Sequence, residues 1–166
     1  MLRPVLLVPD ARLSQPCAPV TRFNHELRAL ALDLEETMRA GRGSVGIAAP
    51  QIGEMARVTV VDTSGHRKFG VQSQGFFALV NPKIVVRAGE RIGREGCMSL
   101  PDFTANVSRA QMVVIAYQDL DGYDREITCY DFEAVAMQHE IDHLDGIMFL
   151  ERVNNLQTDV FPRKNK

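Results

Sequence analysis

Residues 131–146 read DFEAVAMQHEIDHLDG, a stretch that predicts a helix over residues 131–145. Asp131 is a residue type preferred at a helix N-cap, and Gly146 is the type preferred just past a helix end. One face of this helix carries apolar side chains together with both histidines of the stretch: Phe132, Val135, Ala136, His139 and His143. We therefore expect the helix to lie against the core with its histidines facing inward.

Two histidines four residues apart are the chemical feature of this helix. Side chains at positions i and i+4 share a helix face, so His139 and His143 can bind one metal ion at about 2 Å. Glu140 lies about a quarter turn away, where a carboxylate can take a proton from water without binding the metal. The alternative is a pair of hydrogen-bonded core histidines. The spacing favours hydrolytic metal chemistry.

The remainder of the chain predicts an α+β fold. Apolar residues at steps of three and four predict an amphipathic helix over residues 21–40. Strand-forming residues fill 57–62, 77–86, 111–120 and 123–130, and Asp121-Gly122 is typical of a tight hairpin turn. Residues 64–75 are polar and predict a loop. We expect a leading helix, antiparallel or mixed strands, and a central motif helix packed against the sheets.

Length and composition limit the possible functions. The 166 residues predict a single catalytic domain over 1–166, with residues 152–166 as a loosely ordered tail. A net charge of -2 and a pI near 6.1 argue against nucleic acid or an anionic membrane as the main ligand. Three cysteines are too few for a secreted disulfide scaffold, and no stretch approaches a membrane span. We expect a cytoplasmic protein.

A catalytic site of this kind needs a third metal ligand and one position left for water. A metzincin would place a histidine six positions after His143, but that residue is Phe149. Glu151 lies too close to His143 to come from a second, returning helix. Upstream, Cys97 lies in the segment EGCMS, residues 95–99, where a metal would deprotonate its thiol. Otherwise a lone cysteine is a small core residue.

A third segment, SVGIAAPQIG at residues 44–53, places Gln51 among small residues. Gly41, Gly43 and Gly46 spell G-x-G-x-x-G, but they follow a predicted helix, and Pro50 disfavours the helix start that a dinucleotide site needs. On its own, Gln51 would be an ordinary surface amide. By itself this segment predicts no function, and it becomes informative only together with residues 95–99 and 138–143.

In this order the three segments resemble the peptide deformylase family, whose motifs are G-x-G-x-A-A-x-Q, E-G-C-L-S and Q-H-E-x-D-H. Here they read SVGIAAPQ (44–51), EGCMS (95–99) and QHEIDH (138–143), and the resemblance extends over most of the chain. Met98 replaces the motif's leucine at similar volume and keeps the backbone N–H. Ser44 replaces its first glycine, so we expect serine to resist a backbone angle or a close approach that glycine allows.

The resemblance implies removal of the formyl group from the N-terminal methionine of new polypeptides, with release of formate. Metal-bound water would be the nucleophile, and Glu140 would serve as general base and then general acid. The oxyanion would be held by the metal, the Gln51 side chain and the Met98 backbone N–H.

The resemblance also implies one divalent metal ion per chain, held by Cys97, His139 and His143. In this family the ion is typically Fe²⁺, and Zn²⁺, Ni²⁺ or Co²⁺ can occupy the site, since thiolate and imidazole suit all four. An ion pair between Glu95 and Arg109 would brace the cysteine loop.

By the same resemblance, the methionine side chain would enter an apolar pocket near Val45, Phe132, Val135 and Ala136. The backbone around Val45 and Gly46 would pair with the extended peptide as an added strand. For the helical residues of this set, plain core packing is the alternative. The partners would be formylmethionyl peptides and nascent chains, close to the ribosome, bound by a monomer.

Two other functions fit parts of the sequence. A peptidase of the H-E-x-x-H type would cleave internal peptide bonds and ignore a formyl group, but the downstream ligands it needs are missing. A metal-binding homologue could have lost turnover through Ser44. Formate release would distinguish a deformylase from both of these, and cleavage of internal peptide bonds would identify the peptidase.

Overall fold

The computed structural model describes residues 1–163. Within them, helices α1 (His25–Ala40) and α2 (Asp131–Leu144) accompany strands in two antiparallel sheets. The strands are β1 (Gly46–Ala48), β2 (Val58–Asp62), β3 (Phe76–Ala88), β4 (Arg91–Cys97), β5 (Leu100–Arg109), β6 (Met112–Gln118), β7 (Asp124–Tyr130) and β8 (Val160–Pro162). The expected α+β class is confirmed. Neither helix of this part of the chain is long and apolar enough to cross a membrane.

The larger sheet has the strand order β1-β2-β3-β6-β7, and the smaller has the order β4-β5-β8. The predicted hairpin joins β6 to β7 with Gly122 at a φ of 86°. Strand β1 forms the opposite edge of the larger sheet and pairs with β2, with Gly46 opposite Val61. The edge of β1 that faces away from β2 is not paired with any strand of residues 1–163.

Helix α1 begins four residues later than predicted. The Asn24 side chain accepts a hydrogen bond from the Leu27 N–H at 3.1 Å and so caps the helix before His25. The predicted end at Ala40 is confirmed. The buried residues of α1 pack on one face of the larger sheet, against Val60 among others.

Helix α2 is central, as expected, but it is buried on more than the one predicted face. All residues from Glu133 to Leu144 are buried. Its apolar side packs on the face of the larger sheet opposite α1, where Met137 belongs to the same cluster as Val61. Side chains of β4 and β5 hydrogen-bond to its polar side. A helix enclosed in this way shows little amphipathic contrast.

The prediction that Asp131 is the N-cap of α2 is wrong. Tyr130 occupies that position without a side-chain cap, and Asp131 is the first helical residue, with a φ of 53°. Its backbone N–H donates to the Gln111 carbonyl at 2.7 Å, and its carboxylate accepts from Gln111 Nε2. Gln111, which directly precedes β6, thus holds the residue that was expected to cap the helix.

The C-terminal segment is more ordered than predicted. Strand β8 pairs with β5, with Phe161 opposite Thr104, and Phe149–Arg152 forms a 3-10 turn. Residues 160–162 of the segment predicted as a loose tail thus form a strand, while 164–166 lie outside the described residues. The predicted loop over 64–75 is present and contains one short 3-10 turn, Gly70–Gln72.

Candidate active site

Cys97, His139 and His143 converge where the end of β4 meets α2. One possible ligand atom from each of the three buried residues lies within 4.8 Å of the other two, and Cys97 Sγ is 3.4 Å from His143 Nε2. A sulfur and a nitrogen bound to one tetrahedral ion would be about 3.5 Å apart. The donor set and its spacing therefore fit a metal ion.

The histidines differ in their protonation. Burial, together with the charge of His139, lowers the pKa of His143 well below its usual value, so His143 is neutral, the form that binds metal. Burial also lowers the pKa of His139, but the hydrogen bond to Cys97 and the charge of Glu140 more than offset this and raise it well above its usual value. Metal binding at such a site displaces a proton.

Glu95 fixes the orientation of His139. Burial alone would raise the pKa of Glu95, but hydrogen bonds from His139 and Arg109 hold it at about 2, so the carboxylate is ionised. It accepts a hydrogen bond from His139 Nδ1 at 2.8 Å, which leaves Nε2 available to a metal. The predicted ion pair is present, because Arg109 Nε and Nη2 lie 2.8 and 2.9 Å from the two oxygens of Glu95.

Glu140 is a buried carboxylate whose Oε1 has no hydrogen-bond partner among residues 1–163. Burial raises its pKa to about 7, against the opposing charge of His139. A Cβ at position 46 would lie 2.6 Å from Glu140 Oε2, so Gly46 leaves the room that this side chain occupies. A carboxyl group with such a pKa can exchange a proton near neutral pH.

Gln51 is buried, in contrast to the surface position that its residue type alone would suggest. It lies in the 3-10 turn Ala49–Ile52 that follows β1, and its Oε1 accepts from the Ala48 N–H at 3.0 Å. Its Nε2 donates to Ser99 Oγ at 3.0 Å and to Cys97 Sγ at 3.4 Å. The amide therefore points at a candidate metal ligand. Ser99 was not predicted as a site residue, although its position two residues after Cys97 was a signal.

An open cavity of about 480 Å³ lies over these groups. Its lining includes all the residues predicted to bind substrate, together with the other candidate catalytic residues and two of the metal ligands: Val45, Gly46, Phe132, Val135, Ala136, Gln51, Met98, Glu140, Cys97 and His139. The third ligand, His143, is 1% exposed. The structure thus brings the predicted site residues together at one cavity.

His66 also lines the cavity, although it was not predicted as a site residue. It belongs to the loop over 64–75, and its ring lies 4.4 Å from Phe132 and 5.1 Å from Phe69, measured between ring centroids. Aromatic residues within an otherwise polar loop were the available signal. The loop therefore contributes part of the cavity wall instead of only joining two strands.

The structure contradicts the expectation that Ser44 strains the backbone. Positive φ angles outside glycine occur, within residues 1–163, only at Asn81 and Asp131, and the glycine angle in this turn belongs to Gly43, with a φ of 71°. Ser44 Oγ donates to the Gly46 carbonyl at 3.2 Å. The serine is accommodated, and its hydroxyl reaches the edge strand.

Comparisons with known proteins identify relatives over nearly the whole chain. The profile of the polypeptide deformylase family matches residues 2–159. A peptide deformylase of Acidobacterium capsulatum is 44% identical over 164 residues, which cover 99% of this chain and 94% of that protein. A peptide deformylase of Heliobacterium modesticaldum is 46% identical over 151 residues, covering 91% and 93%.

The fold also matches that of solved peptide deformylase structures. The crystal structure of the Met-Ala-Ser-bound class I type b peptide deformylase from Acinetobacter baumannii superposes with a TM-score of 0.86 at 34% identity, covering 92% of this chain and 99% of that one. Family profile, sequence identity and fold agree over nearly the whole length, and so the chain belongs to the polypeptide deformylase family of metal-dependent hydrolases.

Proposed function

We propose that this protein removes the formyl group from the N-terminal formylmethionine of newly made polypeptides and releases formate. One observation carries this function: a buried thiol and two buried imidazoles converge beside Glu140, an unpaired carboxylate among residues 1–163, under an open cavity. Hydrolysis of a formamide needs an electrophile, a proton carrier and donors for the oxyanion. The cavity holds a candidate for each.

We propose that Cys97, His139 and His143 hold one divalent ion per chain. Thiolate and imidazole donors suit Fe²⁺, Zn²⁺, Ni²⁺ and Co²⁺, and Fe²⁺ is proposed for the cell because the family typically uses it. When bound, such an ion lowers the pKa of a water molecule and polarises the carbonyl that is attacked. The remaining steps belong to side chains and backbone of this chain.

Glu140 is proposed to move the proton. It would accept a proton from the attacking water and then donate one to the amine nitrogen as the C–N bond breaks, leaving formate and a free N-terminus. Its pKa of about 7 supports both halves of this role, because the group can bind and release a proton near neutral pH. Gly46 supports it by leaving space for the carboxylate.

Gln51 and Met98 are proposed to stabilise the oxyanion. Gln51 lines the cavity, and its Nε2 lies 3.4 Å from Cys97 Sγ, so its N–H groups are close to the candidate metal ligands. Met98 follows Cys97 directly, in the turn between β4 and β5, and lines the same cavity. Each such donor in a site that excludes water is worth about 3 kcal/mol of barrier lowering.

The substrate is proposed to lie along the open edge of β1. The Val45 carbonyl accepts from the Asp62 N–H at 2.8 Å and so faces β2, which turns the backbone groups of Gly46 toward the open edge. A peptide added there would place its methionine side chain against Val45, Phe132, Val135 and Ala136. The Met-Ala-Ser-bound structure of the Acinetobacter baumannii enzyme supports a methionyl peptide as the kind of ligand.

We further propose that residues 1–166 act as one catalytic domain, as a monomer in the cytoplasm, on nascent chains near the ribosome. The modest net charge of -2 is compatible with peptide substrates and argues against nucleic acid as the substrate. The basic residues Lys164 and Lys166 near the end of the sequence would offer contacts to ribosomal phosphate groups.

Formate release from N-formyl-Met-Ala-Ser tests the proposed function. The protein would be purified without oxygen, because an Fe²⁺–thiolate site is prone to oxidation, and its metal content measured first. We expect formate and Met-Ala-Ser as the products. An H-E-x-x-H peptidase would instead cut internal bonds of formylated and unformylated peptides alike. A metal-loaded protein that releases no formate would overturn the proposal.

Replacing Ser44 by alanine is expected to change activity only slightly, although serine at this position was expected to weaken it. The Ser44 hydroxyl competes with an incoming peptide for the Gly46 carbonyl, at a net cost of about 1 kcal/mol. We expect Ser44→Ala to lower KM for N-formyl-Met-Ala-Ser by at most about fivefold, with kcat unchanged. Ser44→Gly is the matched variant, and a large gain in Ser44→Gly alone would show that the backbone is limiting.

A further inference from the structure

We propose, on the basis of the metal site proposed above, that Arg152 is a positioning residue for the ligand His139. It would act through a chain of charged side chains that begins in the 3-10 turn Phe149–Arg152, beyond the end of α2, and ends at the imidazole. Arg152 does not line the cavity over Glu140, and its side chain hydrogen-bonds Asp142 instead of any of the three candidate metal ligands.

The outer half of this chain is centred on Asp142. Arg152 Nη2 donates to Asp142 Oδ1 at 2.9 Å, and Arg152 Nε donates to Asp142 Oδ2 at 3.1 Å. Arg109 Nη1 donates to Asp142 Oδ2 at 2.6 Å. Two guanidinium groups thus share one carboxylate, which lies next to His143 in the sequence.

The inner half carries the contact to the metal ligand. Arg109 uses Nε and Nη2 for the two oxygens of Glu95, at 2.8 and 2.9 Å, and Glu95 accepts from His139 Nδ1 at 2.8 Å. The four charged groups alternate in sign from Arg152 to Glu95. The set is neutral when Arg152 is present and carries one net negative charge without it.

Burial makes these contacts strong. The side chains of Arg109, Glu95 and Asp142 are 4, 6 and 10% exposed, whereas that of Arg152 is 44% exposed. Hydrogen bonds between buried charged groups strengthen one another in a low dielectric, so a change at one end is felt along the chain. A second cavity of about 440 Å³, lined by Arg109, Asp142 and Arg152, opens on this side. Arg152 is therefore the solvent-facing end of the chain.

Loss of Arg152 would redistribute the remaining contacts. Arg109 would become the only side chain of residues 1–163 that hydrogen-bonds the Asp142 carboxylate. That carboxylate would then draw Arg109 away from its two-bond pairing with Glu95. A less firmly held Glu95 would allow the His139 ring to turn, and hydrogen bonds that orient a ligand are typically worth 10–100-fold in metal affinity.

Cobalt binding by Arg152→Gln tests this role. The dissociation constant of Co²⁺ would be measured without oxygen, by competition with a chelator and by the thiolate absorption of the bound ion. We expect it to rise about tenfold or more in Arg152→Gln. The matched control is Arg125→Gln. Arg125 is an exposed residue of β7 whose Nε lies 2.9 Å from Asp119 Oδ2. This control should bind Co²⁺ like the wild type.

Two further variants test whether Arg152 acts through its hydrogen-bond geometry, through its charge alone, or through the general stability of the protein. Arg152→Lys keeps the charge but loses the planar fork, so its Co²⁺ affinity should fall between wild type and Arg152→Gln. If Arg152 acts through Asp142, the double variant Arg152→Gln/Asp142→Asn should lose little more Co²⁺ affinity than Asp142→Asn alone. Wild-type affinity in Arg152→Gln, tighter binding in it, or equal weakening in Arg125→Gln would overturn the role. Failure of the wild type to bind Co²⁺ would instead reject the proposed metal site.

Discussion

Replacing Glu140 by glutamine is expected to reduce kcat for formate release by about 10²–10⁴-fold while the bound metal stays at the wild-type level. Glutamine keeps the size and shape of glutamate, so it fits the space that Gly46 leaves. It cannot accept the proton of the attacking water or return one to the amine. The loss should therefore appear in kcat and not in metal content, measured by formate production and elemental analysis of the same sample.

Glu133→Gln is the matched control for this variant. Glu133 is another buried glutamate of α2, but it accepts hydrogen bonds from the Gln74 backbone at 2.9 Å and side chain at 2.7 Å and does not line the cavity over Glu140. We expect Glu133→Gln to retain formate release. Turnover by Glu140→Gln within tenfold of wild type would show that another group moves the proton.

Replacing Cys97 by alanine is expected to remove both the metal and the activity. The variant leaves two imidazoles, and it removes the thiolate, the only soft and negatively charged member of the donor set. It also removes the sulfur that Gln51 Nε2 contacts at 3.4 Å. Metal retained after dialysis against a weak chelator would be measured, and we expect it to fall to background.

Cys17→Ala is the control for the loss of a buried thiol. Cys17 is 6% exposed and packs with Ala48 and Leu144, and it is not part of the converging ligand group. The thermal midpoints of both variants would be compared in metal-free samples, so that a general folding defect is recognised. Full metal loading of Cys97→Ala would rule out the cysteine as a ligand.

The regular parts of the fold follow from local sequence. The spacing of Leu27, Leu34 and Met38 is periodic over about three turns, and its physical cause is the contact with the larger sheet. Strands β2, β3, β6 and β7 are rich in β-branched residues, and Asp121-Gly122 sets the turn between the last two. In these elements local preference and tertiary packing act in the same direction.

Strands β4, β5 and β1 were not predicted. Gly93 and Gly96 interrupt β4, so this strand shows no sustained alternation. Strand β5 does alternate from Phe103 to Ser108, but Pro101 lies near its start and weakens the strand signal there. Their stability comes from pairing with each other, and from β8 far along the chain. Strand β1 is three residues long, too short for any periodic signal.

The candidate metal ligands and catalytic residues could be predicted from the sequence. The residues that hold them in place could be predicted only in part. The i, i+4 spacing of His139 and His143 carries geometric information in the sequence itself. The place of Cys97 came from a family resemblance, because no local rule connects a residue of β4 to a distant helix. Ser99, Asp142 and Arg152 escaped attention because their roles depend on hydrogen bonds between separate elements.

The candidate metal ligands come from both halves of the fold. Cys97 ends a strand of the smaller sheet, whereas His139 and His143 belong to the helix that packs on the larger one. An ion held by all three would tie the sheets together like a removable cross-link, and at a thousandfold excess over its Kd it would add about 4 kcal/mol to stability. Chains that fail to acquire the ion would open more often and be degraded first, so proteolysis would select the copies able to work.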